Sequence, residues 1–308
     1  MRRQLKVYFV FAVLLQWGFY VNADSVFKPK HLSLNAGYSL TGIEGLEPSG
    51  LDYCDGRLLF VSDKHGNQIF ELNIVESQAI ASVYLTLPEI PPPTSIGPAV
   101  SQPPVNYIAN YMKYFDWEGI SCDGQGNIYL ASEFYVSILK INKQRKVSWI
   151  EQPLYEFGQR NGLFTKHNAY LEGISVQGEK LWLAAEREPR GLLLINDGRP
   201  EVIVAPEYES KETRMPLDFA GLDIWQGTLY ALERNHYQVC GLADTKVCYS
   251  YGHVVEEWEF LPRIFGTAEG LAIEGGTLWL IFDNNQKPRL ANPDNSRPTL
   301  LSFTFPAR

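Results

Sequence analysis

Apolar and polar positions along this chain fall into a phrase that returns. Residues 268–285 read AEGLAIEGGTLWLIFDNN, and WEGISCDGQGNIYLASEFY from Trp117 and LEGISVQGEKLWLAAEREP from Leu171 keep the same order. Each has Glu-Gly-aliphatic, a polar turn, an apolar and aromatic run, and then an acid. Aligned along the chain, the phrase begins five times, at Ser49, Glu118, Glu172, Ala220 and Glu269, at intervals of 69, 54, 48 and 49 residues. The alternation within each copy has the period of a strand, and the 3.6-residue period of a helical repeat is missing. Repeats near 50 residues made of short strands are those of propeller blades.

Within a copy, the aliphatic residue after Gly opens a strand of about five residues. The turns CDGR, DGQGN, QGEK, WQGT and EGGT contain Gly, which tolerates positive φ, and runs such as LWLAA or IYLAS return from them. Each copy is therefore a β-hairpin, and QIFELNIV, SILKINK and GLLLIND supply the next strands. The expectation is an all-β chain: a β-propeller of four-stranded antiparallel blades, five-bladed, with six as the alternative if a degenerate blade lies in residues 26–46 or in the first interval.

The long first interval holds TLPEIPPPTSIGPAVSQPPVNY, residues 86–107, with seven of the chain's 19 prolines. Such a stretch cannot be a central strand, and it reads as a loop insertion over 86–115. LYEFGQRNGLFTKHNAY, before the third copy, reads as a shorter irregular piece. RPTLLSFTF near the C-terminus is expected to join a strand around HLSLN near the N-terminus and fasten the ring.

Composition changes the picture in three places. Arg2, Arg3 and Lys6 precede the apolar run VYFVFAVLLQWGFYV, and Val21 and Ala23 are small residues, the layout of a signal peptide covering 1–23. A retained membrane anchor is the alternative, because the run reaches about the lower length limit for spanning a bilayer. Without residues 1–23 the chain has 24 Lys and Arg against 35 Asp and Glu, a net charge of −11. Nucleic acid and anionic membranes, which demand a basic face, are thereby disfavoured. Export to the periplasm or the medium permits disulfides, and Cys240 and Cys248 flank a short segment that one would close. Cys54 and Cys122 are either a second bridge or two buried thiols.

The acids are the candidate chemistry. The two strands of a hairpin return to one end, so the opening Glu118, Glu172 and Glu269 and the closing Asp63, Glu133, Glu186, Glu233 and Asp283 should share one mouth. Two carboxylates about 5 Å apart repel by roughly 3 kcal/mol at an effective dielectric near 20, so something must compensate. One compensator is Ca2+, a hard cation that takes six to eight oxygens, with Asn235, Asn284 and Asn285 able to complete its shell. A second is salt bridging by Lys64, Arg187 and Arg234, which directly follow three of the acids. The third is that the Glu residues accept backbone N–H groups at tight turns. His65 and His236, which follow closing acids, are candidates for a place at the mouth. G-x-S-x-G, H-E-x-x-H and phosphate-loop motifs are absent, and no nucleophile stands out. Trp182, Trp225 and Trp279 lie in or beside hairpin strands and read as packing residues.

The order SGL, EGI, EGI, AGL, EGL, each followed by an acid after the second strand, resembles the phytase-like ("esterase-like activity of phytase") and SdiA-regulated families of exported bacterial propellers, over essentially all of residues 24–308. The resemblance implies one propeller domain with a calcium site. It also implies hydrolysis of phosphate or carboxylic esters, with Glu118, Glu172, Glu269, Glu186, Glu233 and Asp283 as metal ligands. Arg187, Arg234, His65 and His236 would contact a small anionic substrate. The alternative is a monomeric, non-catalytic binding propeller with structural calcium, whose Tyr107, Tyr111, Tyr114 and Phe115 form an aromatic rim for a protein partner.

Overall fold

A computed structural model describes residues 29–94, 115–203, 216–242, 247–255, 266–288 and 294–306. The segment expected to be a signal peptide, most of the proline-rich insertion, and Tyr107, Tyr111 and Tyr114 lie outside them. The described chain is mostly β. After β1 (Lys30–His31) and β2 (Ser33–Thr41), each repeat copy opens a four-stranded antiparallel meander. The first is β3 (Pro48–Cys54), β4 (Arg57–Ser62), β5 (Gln68–Val75) and β6 (Gln78–Thr86), and the second is β7 (Trp117–Cys122), β8 (Ile128–Ser132), β9 (Ser137–Ile141) and β10 (Val147–Ile150). After helix α1 (Leu154–Arg160), β11 (Leu171–Gln177), β12 (Lys180–Ala185), β13 (Gly191–Asn196) and β14 (Arg199–Ile203) follow. Next come β15 (Gly221–Trp225), β16 (Thr228–Glu233), β17 (Gln238–Gly241) and β18 (Val247–Ser250), then helix α2 (Gly252–Val255). The last meander is β19 (Thr267–Glu274), β20 (Thr277–Asp283), β21 (Thr299–Thr304) and, returning from the N-terminus, β2.

The closure expected from the sequence is present: β2 pairs antiparallel with β21, Ser33 opposite Thr304 through Ser39 opposite Thr299. Lys30 and His31 do something else, adding β1 in parallel to the edge of β18. The N-terminal chain thus straps one meander to the next before its far end also meets β6. Leu154–Arg160, expected to be irregular, form α1, whose Gly158 lets the Phe164 ring lie where a Cβ would stand. The three tryptophans pack against core clusters as expected, Trp279 beside Tyr38 with ring centroids 6.2 Å apart. Both disulfides exist: Cys240–Cys248 across β17 and β18, and Cys54–Cys122 between the ends of β3 and β7.

The glycine of the repeated phrase has a steric cause. The strands β3, β7, β11, β15 and β19 stand side by side in that order, and β19 returns to β3. Gly50, Gly119, Gly173, Gly221 and Gly270 line the axis between them, where the cavity is about 10 Å³, hardly room for one water. A Cβ on Gly50 would stand 2.7 Å from Gly119 Cα, one on Gly173 3.0 Å from Gly221 Cα, and one on Gly270 2.6 Å from Leu51 N. Each glycine faces the next inner strand, so these strands approach more closely than any side chain allows.

Two residues beyond three of the glycines, Gly50, Gly119 and Gly221, side chains clasp neighbouring meanders. Asp52 Oδ2 accepts from Cys122 N–H (2.8 Å), Ser121 Oγ from Val176 N–H (3.2 Å) and Asp223 Oδ2 from Ile273 N–H (2.6 Å). Burial pushes the Asp52 carboxyl up to about 6, against the hydrogen bonds that pull it down. Asp223 is raised further by burial and by the charge of Asp52. Between the unfolded value near 4 and the folded value, the native state holds more protons than the unfolded one, so stability falls as pH rises through that window. Asp223→Asn, whose amide oxygen can replace only one of the two oxygens that accept Ile224 N–H and Ile273 N–H, should therefore be less stable than the wild type near pH 4 and gain on it, by on the order of 1–2 kcal/mol, by pH 7. Urea midpoints measured from pH 4 to 8 check this; parallel curves for the two proteins would count against it.

Candidate metal site at the acidic mouth

Three bulges aim three glutamates. The pairing of β7 with β8 slips between Trp117 and Gly119, that of β11 with β12 between Leu171 and Gly173, and that of β19 with β20 between Ala268 and Gly270. Glu118, Glu172 and Glu269 are the extra residues, and a bulge turns its residue out of the ladder. In the fourth meander Ala220 holds this place, just before the ladder begins with Gly221 opposite Leu232, and its N–H bonds Leu232 O at 2.9 Å. The closing acids are tied to the same end by backbone. Glu133 N–H bonds Asp116 O and Glu186 N–H bonds Tyr170 O, both at 2.9 Å, and Asp63 N–H bonds Glu47 O at 3.3 Å.

Arg234 sits among four carboxylates. Its guanidinium contacts Glu269 and Glu186, reaches Asp218 at 2.9 Å through Nε, and lies 3.5 Å from Glu172. Burial opposes the charge, but Glu269, Glu172 and Asp218 hold the guanidinium firmly protonated. Arg187 also touches Glu186. Glu186 Oε2 nevertheless remains buried with no hydrogen-bond partner among the described residues.

Beside this hub carboxylates crowd one another. Oxygens of Asp116, Glu118 and Glu133 lie within 4.8 Å of one another, and so do those of Glu133, Glu172 and Glu186. Glu133 belongs to both groups and accepts Tyr170 N–H at 2.8 Å. Burial pushes the Glu118 carboxyl well up, and the charges of Glu172, Asp116, Glu133 and Glu269 add to the rise. Glu133 is raised by burial and then by Glu172 and Asp116, with the Tyr170 N–H and Arg234 pulling the other way. Ligand oxygens up to about 4.8 Å apart suit one cation at Ca–O distances of 2.3–2.6 Å, and an all-oxygen donor set is what Ca2+ takes. The residues fit calcium.

Of the ligands expected from the sequence, Glu118, Glu172 and Glu186 meet here, while Glu269 is engaged by Arg234 at the edge. Glu233 is fully buried against Arg190 and Gln238, and Asp283 lies apart, pushed up to about 7 by burial, with its Oδ1 accepting Asn285 N–H. Asn235 N–H bonds Asp218 and its Nδ2 bonds Pro216 O, while Asn284 Nδ2 bonds Lys287 O and its Oδ1 is buried without a hydrogen-bond partner among the described residues. Lys64 spans Asp63 and Glu47 at 3.0 and 3.1 Å. His65 packs edge-on to Phe70, and His236 is near enough to Asp218 to lower its pKa. Phe115, proposed for a rim, is buried and stacked on Trp117, ring centroids 4.9 Å apart.

Asp116 and Asp218 were missed. Both stand two residues before the opening position of their copy, a place also held by Glu47, so an acid recurring at that offset was the available signal.

A family model described as "Phytase-like: Esterase-like activity of phytase" matches residues 41–249. The chain belongs to the phytase-like family. Its match includes the glycines of the first four copies and all the acids of the mouth except Glu269 and Asp283. No protein of curated function matches this phytase-like chain. Its fold is similar to that of Myxococcus xanthus glutaminyl cyclase, with a TM-score of 0.51 and 11% identity over 90% of this chain and 97% of that one. Virginiamycin B lyase from Staphylococcus aureus is also similar, at a TM-score of 0.42 and 12% identity over 86% of this chain and 69% of that one. The phytase-like chain therefore has a propeller-like β fold.

Proposed function

We propose that this phytase-like chain is an exported, monomeric, five-bladed propeller of one domain whose mouth binds calcium and hydrolyses phosphate or carboxylic esters there. The observation that carries the reading is the pair of carboxylate groups joined at Glu133, next to Glu186 Oε2, which is buried without a hydrogen-bond partner among the described residues. Asp116, Glu118, Glu133, Glu172 and Glu186 would hold the ion. When bound, calcium supplies Lewis-acid polarisation of a phosphoryl or acyl oxygen. Arg234 keeps Glu172, Glu186 and Glu269 in place, and Arg187, half-buried at the edge, is the basic group nearest to hand for an anionic substrate. Five blades rest on the five meanders and on their closed succession of inner strands.

One observation favours a second reading, a recognition propeller with structural calcium. Arg234 is wholly engaged by carboxylates and the axis is closed, so the mouth offers an anion little free positive charge.

Calorimetric titration with CaCl2 should give one equivalent, and Glu133→Gln should weaken it at least about tenfold, since that carboxylate belongs to both groups. Aryl phosphate and aryl acetate turnover, measured with calcium and then with a chelator, separates the readings. Calcium-dependent turnover supports the enzyme, binding without turnover supports the recognition protein, and no binding at millimolar calcium overturns both.

A further inference from the structure

We propose a second metal site, remote in chemistry from the first: His31 and His253 form a two-imidazole clasp for a borderline divalent ion such as Zn2+. Their Nδ1 atoms face one another at 3.4 Å, the rings 5.1 Å apart and nearly perpendicular at 84°. Two nitrogens on a tetrahedral zinc with bonds of 2.0–2.1 Å are about 3.3–3.4 Å apart, so the spacing is that of two ligands on one ion. As a hydrogen bond the same contact is poor, because N–H donors prefer about 2.9–3.0 Å. With both protons on Nε2, two nitrogen lone pairs are brought together with no proton between them, and a cation is what such a pair accepts.

Neither ring is placed by a loose surface loop. His31 is in β1, held in register opposite Ser250, and Leu32 beside it is buried and donates its N–H to Ser250 O at 2.9 Å. His253 is in α2, whose Gly252 N–H bonds Ser250 Oγ and whose Val254 packs on the core. One residue, Ser250, therefore organises both sides, and side chains on framed backbone hold a metal geometry better than those on loops. Among the described residues no Cys, Asp, Glu or further His joins the two within metal-ligand distance, which leaves positions for water. Imidazole selects zinc, copper and nickel, whereas calcium and magnesium prefer oxygen, so the two sites should not compete. The ion would lie across the strap, tying β1 to the meander of β15–β18 just before the chain crosses to β2.

The test is a ZnCl2 titration of the full chain in saturating calcium, by calorimetry and by thermal melting, on wild type, His31→Gln, His253→Gln and Glu133→Gln. One equivalent of zinc is expected, weakened at least about tenfold in each histidine variant and unchanged in Glu133→Gln. Zinc should raise the melting temperature of the wild type and leave both histidine variants unmoved. X-ray absorption at the zinc edge should show two imidazole nitrogens. Both histidines are exposed, so the variants should fold, which the melts without zinc check directly. Zinc binding unchanged in both histidine variants, binding lost in Glu133→Gln instead, or none in the wild type would each overturn the site.

Discussion

Gly270→Ala is expected to destabilise the protein by about 3 kcal/mol, lowering its melting temperature by roughly 6–12 °C. The added Cβ would stand 2.6 Å from Leu51 N and 2.6 Å from Ser49 O, with Gly50 C at 3.0 Å. All three are backbone atoms of the neighbouring inner strand, so no side chain can swing away. Relief requires the first and last meanders to separate, and that loosens the ring at its closure. Gly124→Ala is the matched control: nothing lies within 4 Å of its would-be Cβ, and its effect should be near zero or slightly stabilising. Melting curves of the two variants check the contrast. If Gly270→Ala melts within about a degree of the wild type, the inner strands do not approach as described.

The recurrence of the phrase's glycine was legible in the sequence, though not the close approach of strands that requires it, because it is a local rule applied repeatedly. Each hairpin needs a residue without Cβ at one place on its inner strand, so Gly50, Gly119, Gly173, Gly221 and Gly270 recur in phase with the aliphatic residues that follow. The hairpin strands were legible for the same reason. What the strap does was not, because the pairing of Lys30 and His31 with Tyr249 and Ser250 joins residues more than 200 apart, and neither partner constrains the other's residue type. The mouth falls between these cases. Its acids could be counted and placed at one end, but whether they share an ion or a guanidinium depends on distances between different meanders. Arg234 illustrates the point: following a closing acid, it reads as a local partner, yet it spans Glu172 and Glu186 of one copy, Asp218 before the next and Glu269 of the last. Arg190, three residues beyond Arg187, carried no signal at all and neutralises the buried Glu233 of the following copy.

Arg234→Met should be the most damaging charge change in the molecule, with a loss of about 3–5 kcal/mol at neutral pH, the usual consequence of stripping one partner from a buried ionic network. The pH dependence identifies the cause. Without the guanidinium, Glu172, Asp218 and Glu269 lose the charge that pulls their carboxyls down, and burial then raises them further above their unfolded values. Glu269, about 7 even with Arg234 present, rises above that without it, so the window extends above pH 7. Between pH 4 and 7 the folded variant would bind more protons than its unfolded chain, so its stability falls as pH rises and recovers as pH drops. The deficit relative to wild type should thus be small near pH 4, grow as pH rises and still be growing above pH 7, as read from urea midpoints. Arg187→Met, which removes a more exposed partner of Glu186 alone, should cost no more than about 1 kcal/mol. Added calcium distinguishes the two ways of neutralising the mouth. If the carboxylates around Glu133 hold an ion, millimolar calcium should restore part of the lost stability in Arg234→Met. A deficit constant across pH would mean that the four carboxylates do not face this guanidinium in solution.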